Sequence, residues 1–87
     1  MESVKTILAI DDNRDILYTL EQIFNFQGWR PLLANGYEEA DKLIKKEKID
    51  LILVDYHMPG VDGISAVKEI RKKQPSRILV SNINNFL

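Results

Sequence analysis

Ile7-Leu8-Ala9-Ile10 and Leu51-Ile52-Leu53-Val54 are uninterrupted apolar runs, and each is followed at once by aspartate: Asp11-Asp12 after the first, Asp55 after the second. Successive side chains of a strand point to opposite faces. A run apolar at every position is therefore a strand with no wet face, the kind found in a parallel sheet covered by helices on both sides. The aspartates then fall where such a strand ends.

The segments between these runs have helical period. Asp11-Asp12-Asn13 are residue types that cap a helix, and Ile16, Leu17, Leu20, Ile23 and Phe24 recur at helical spacing before Gly28, which can end the helix at positive φ. Trp29 to Ala34 reads as a second strand. Pro31 within it cannot donate to a ladder, so this strand belongs at an edge. Asn35-Gly36 turns the chain. Ala40, Leu43 and Ile44 mark a second helix, with Lys45, Lys46 and Lys48 near its end, where cations suit the helix dipole. After Asp55 comes a loop, Tyr56 to Asp62, then a third helix capped by Asp62, with Ile64, Val67 and Ile70 facing inward and Pro75 closing it. Ile78-Leu79-Val80 is a fourth strand ending at Ser81. The order βαβαβαβ implies an α/β fold with a parallel sheet, right-handed crossovers and helices on both faces.

Composition narrows the functions such a fold can carry. The 87 residues suffice for one domain. A net charge of −1 gives no bulk attraction to nucleic acid or to an anionic membrane. The absence of cysteine removes disulfides, thiolate metal sites and thiol nucleophiles. No apolar run approaches the roughly 20 residues that span a bilayer, and the N-terminus lacks a signal-peptide pattern. A cytoplasmic protein is expected.

Ligands of open α/β sheets sit outside the carboxyl ends of the strands. Asp11, Asp12, Asp55 and Ser81 all fall there. Strands one and three are expected to be neighbours, so three carboxylates converge on one small pocket. Like charges this close oppose one another's ionisation unless a cation neutralises them. An all-oxygen donor set favours a hard divalent cation such as Mg²⁺. Beside such a cation, a carboxylate can act as nucleophile toward a phosphoryl group, and Ser81 can donate a hydrogen bond to it. The plain alternatives are a helix cap and a solvated neighbour for Asp11 and Asp12, a turn residue for Asp55, an ordinary strand-end hydroxyl for Ser81 and an exposed loop residue for His57.

The pattern Asp11-Asp12, then Asp55, then Met58-Pro59-Gly60-Val61-Asp62-Gly63 resembles the receiver domain of two-component response regulators, closely so in the run DLILVDYHMPGVDG from Asp50 to Gly63. The resemblance spans residues 5 to 81. It implies a flavodoxin-like doubly wound sheet of strand order 2-1-3-4-5, with Asp55 as phosphoacceptor. It also implies Mg²⁺ held by Asp11, Asp12, Asp55 and the backbone carbonyl of His57. Ser81 would be the switch hydroxyl, Met58, Pro59 and Gly60 would shape the loop beneath the site, and a histidine kinase would donate the phosphoryl group.

Receivers contain five βα units, about 120 residues at roughly 25 per unit. On that basis residues 1–81 read as a partial receiver domain lacking the fourth helix, fifth strand and fifth helix, with a divergent tail at 82–87. The family lysine that ends the fifth strand has no counterpart here. Asn82 stands where the residue after the switch hydroxyl is normally small. A natural truncation, a frameshifted end and a deliberate shortening all fit. Self-association through the exposed fourth-strand edge or an uncovered sheet face is expected. Three functions compete: a signalling phosphoacceptor that is not an enzyme in the ordinary sense; a receiver-derived fragment that no longer signals; and an aspartyl-nucleophile phosphatase. The last is disfavoured because His57 occupies the position of its usual second acid.

Overall fold

A computed structural model of the chain describes residues 4–55, 72 and 77–81, with the backbone alone at 55 and 77–81. The elements are β1 (Thr6–Ile10), α1 (Arg14–Phe26), β2 (Arg30–Ala34), α2 (Tyr37–Lys46), β3 (Leu51–Asp55) and β4 (Arg77–Ser81). The strands form one parallel sheet of order β2-β1-β3-β4. The two apolar runs occupy its centre, and the proline-bearing strand lies at an edge, as their sequences require. The expected third helix and the loop before it lie outside the described residues.

Alternation along the central strands splits the core in two. Leu8, Ile10, Ile52 and Val54 point to one face and pack with Ala34, Ala40, Ile44 and Ile49, so α2 covers that side. Ile7, Ala9 and Leu53 point to the other and meet Ile16, Leu17 and Leu20 of α1. Helices on opposite faces of a sheet in this order make a doubly wound, flavodoxin-like arrangement. Trp29 and Phe24 are partly buried against the α1 cluster, as rim packing. Ile23 departs from the expected inward stripe and is 41% exposed. At that turn of α1 it is Phe24, not Ile23, that packs against the core.

The amino end of the sheet is tied by a reciprocal contact. The Thr6 amide donates to Asp50 Oδ2 at 2.8 Å, and the Asp50 amide donates to the Thr6 carbonyl at 2.9 Å. At the β2 edge, the Arg30 amide donates to the Lys5 carbonyl (2.8 Å). Because ladder bonds alternate along a parallel strand, Pro31 then faces away from β1. The residue without an amide proton thus sits where a donor would otherwise be exposed, which blunts that edge.

α1 ends at Phe26 with Gln27 as its C-cap, and Gly28 follows with φ of +84°. A Cβ at Gly28 would meet nothing within 4 Å, so only backbone conformation disfavours a side chain there. Gly28→Ala is expected to cost about 1–2 kcal/mol, the penalty of the left-handed region for an L-residue. Urea unfolding midpoints measure this; no change would mean that the α1–β2 turn relaxes to a negative φ.

Candidate functional site

The carboxyl end of the sheet is built by register. β1 and β3 pair up to Ile10↔Val54, and β3 and β4 pair up to Asp55↔Ser81. One residue past the first pair stand Asp11 and Asp55. Adjacent strands lie about 4.8 Å apart, so the backbones of Asp11, Asp55 and Ser81 end side by side on three neighbouring strands. The side chains of Asp55 and Ser81, and His57, Met58, Pro59, Gly60 and Asp62 as a whole, lie outside the described residues.

The two adjacent aspartates have opposite surroundings. The Asp11 amide donates to the Ala34 carbonyl at 3.0 Å, extending the β1–β2 ladder one residue beyond the strand. This draws Asp11 inward to 1% exposure. Its Oδ1 accepts from the Asn13 amide at 2.8 Å, which turns the chain toward α1. Asp12, on the outside of that turn, is exposed. A buried carboxyl that fixes the loop and an exposed one at its mouth are the two described parts of the expected donor set.

The α1 cap is neither aspartate. Asn13 Oδ1 accepts from the amides of Asp15 (2.9 Å) and Ile16 (3.3 Å), satisfying two of the helix's free donors. The capping alternative for Asp11 and Asp12 is thereby corrected. Three polar residues in a row made all three candidates; Asp11 is instead engaged with Ala34 and the Asn13 amide.

A second feature has no signal in the sequence. Asn35, just after β2, lies between two helices: with its side-chain amide turned so that nitrogen faces Glu39 and oxygen faces Arg14, the nitrogen donates to Glu39 Oε2 (2.9 Å) and the oxygen accepts from Arg14 Nη2 (3.1 Å). Arg14 and Asn35 are far apart in the chain, so no local pattern pairs them. Among the described residues no group of three or more His, Cys, Asp or Glu side chains converges as a complete metal cage.

A flavodoxin-like sheet with acidic residues gathered at its carboxyl end is the architecture of an α/β receiver module. The chain matches the family model described as the response regulator receiver domain over residues 7–85. It is 38% identical over 66 residues to sporulation initiation phosphotransferase F of Bacillus subtilis, covering 75% of this chain and 52% of that protein. Among solved structures it is similar to a response regulator protein from Burkholderia pseudomallei with a phosphorylated aspartic acid, calcium ion and citrate. There the TM-score is 0.82 at 36% identity, covering 87% of this chain and 45% of the other. It also matches a response regulator of Thermotoga maritima in complex with Mg²⁺–BeF, with TM-score 0.80 at 33% identity, covering 88% and 68%. The chain belongs to the response-regulator receiver-domain family of two-component signalling. It spans about half the length of the phosphotransferase it matches.

Proposed function

We propose that Asp55 is the phosphoacceptor of this receiver domain, taking a phosphoryl group from a phosphohistidine of a histidine kinase. The observation that carries the reading is the pair of registers Ile10↔Val54 and Asp55↔Ser81, which align the carboxyl ends of β1, β3 and β4 with Asp11 and Asp12 following directly on β1. In the transfer, a carboxylate oxygen of Asp55 forms the new O–P bond, the N–P bond breaks, and the leaving imidazole nitrogen takes up a proton. The Ser81 hydroxyl donates to a phosphoryl oxygen. Met58, Pro59 and Gly60 shape the adjoining loop.

Asp11, Asp12, Asp55 and the His57 carbonyl would hold Mg²⁺. The donor set fits, being all oxygen, with the buried Asp11 held by the Asn13 amide and the exposed Asp12 open to solvent at the mouth. When bound, the ion would screen the charge of the incoming phosphoryl group. The phosphorylated aspartate of the Burkholderia relative and the Mg²⁺ of the Thermotoga relative support the same chemistry here. The reading places the domain in the cytoplasm with its kinase. Among the described residues no helix is long and apolar enough to cross a membrane. Among the described residues β4 pairs only with β3, an edge that supports self-association with a second copy.

Intact-mass spectrometry with a small acyl phosphate and Mg²⁺ tests the acceptor. One phosphoryl adduct is expected, absent without metal and absent in Asp55→Asn. An adduct that persists in Asp55→Asn would refute the assignment. No adduct in the native chain would favour a receiver fragment that no longer signals.

A further inference from the structure

Starting beside the acidic loop at Arg14 and Asn35, a groove of about 270 Å³ runs along the flank of α1 next to the edge strand β2. Its volume falls just under the roughly 300–1,000 Å³ of drug-sized sites. It admits a compact molecule or a single side chain. Leu17 and Leu33 form an apolar floor, and Tyr18 and Glu21 form the wall from α1. Arg14, Asn35 and Glu39 line one end, where Asn35 with its amide so turned links the other two. Glu21 is different. It is half-buried on the groove wall, and among the described residues it makes no hydrogen bond or ion pair. One turn away, Tyr18 is 64% exposed. An aromatic face and a carboxylate on the same rim attract a cation by two additive effects, ring quadrupole and Coulomb attraction, while the leucine floor suits methylene groups.

We propose that this groove binds a slender aliphatic cation: an ammonium or guanidinium head set between Glu21 and Tyr18, on an apolar stem lying over Leu17 and Leu33. The source is a free aliphatic amine or guanidine, or a lysine or arginine side chain of a protein; the recognition chemistry is the same.

Amide chemical-shift titration of the 87-residue chain with agmatine tests this, with n-butanol and butyrate as neutral and anionic controls of similar stem. Saturable shifts are expected at Leu17, Tyr18, Glu21, Leu33 and Asn35 with agmatine, and none with either control. Glu21→Gln, a surface change that should leave the far-ultraviolet circular dichroism intact, is expected to weaken agmatine about fivefold. Tyr18→Leu should weaken it about threefold. A lysine-containing peptide that binds the same residues at least tenfold tighter than agmatine would identify a protein source; weaker peptide binding would identify the small molecule. Unchanged affinity in Glu21→Gln, equal saturation by n-butanol, or agmatine shifts centred on Asp11 and Asp12 would each overturn the proposal.

Discussion

Leu8→Ala is expected to lower the unfolding free energy by about 3–5 kcal/mol, the upper part of the range for a buried leucine. Leu8 is 0% exposed in the central strand, enclosed by Ile10, Ala34, Ile52 and Val54 of the α2-facing cluster. Strands on both sides of β1 leave that cavity little room to collapse, because shifting one neighbour breaks its ladder to β1. A domain of this size holds roughly 5–15 kcal/mol in all, so the variant should be near unfolding at ambient temperature. Ile23→Ala provides the contrast. At 41% exposure it should cost under about 1 kcal/mol. Urea titrations of the three proteins measure both differences. Equal losses for the two variants would mean that the division between core and rim described above is wrong.

The second large effect is association. The 87-residue chain is expected to pass from monomer to dimer as its concentration rises through the micromolar range. The two edges of the sheet are not equivalent. β2 turns Pro31 outward and so lacks one of the donors that a new strand would need. β4, Arg77-Ile78-Leu79-Val80-Ser81, contains no proline and one charge, and among the described residues it pairs only with β3. Such an edge is a template for another strand. Pairing two five-residue strands edge to edge makes a small interface, at the weak end of specific ones. That is consistent with a dissociation constant on the order of 1 µM, or about 8 kcal/mol. Backbone and apolar contacts are not screened by salt, so the dimer should persist at high ionic strength. Sedimentation velocity over a hundredfold dilution series reads this directly. A single monomeric species at every concentration would remove β4 as a self-association edge.

Much of the fold was legible because its strongest signals are local. Continuous apolar runs admit one placement, at the centre of a sheet covered on both faces, and the β1 and β3 runs lie there. Pro31 announces an edge through its missing amide proton, and Gly28 marks a turn that needs positive φ. The acidic residues at strand ends, together with the Asp50–Gly63 pattern, pointed to the receiver family that the family match supports. The expected third helix between Asp62 and Pro75 falls outside the described residues, as does the loop with His57.

What the sequence could not resolve are distinctions between like residues in like positions. Asp11 and Asp12 are the same residue type in adjacent places. One is buried and the other exposed because the Asp11 amide reaches across to Ala34, a bond between residues 23 apart in the chain. Asn13 rather than either aspartate caps α1 because that bond and the turn following it settle where the helix can begin. The bridge from Arg14 through Asn35 to Glu39, and the groove these residues line, exist only once α1 and α2 flank the end of β2. Local patterning alone therefore determined which segments are strands and helices and which ends of the strands carry acid, because burial on two faces and backbone torsion are properties of a few consecutive residues. Tertiary structure decided which carboxyl is buried, which residue caps and where a groove opens, because each of these depends on a contact between segments that the chain brings together only on folding.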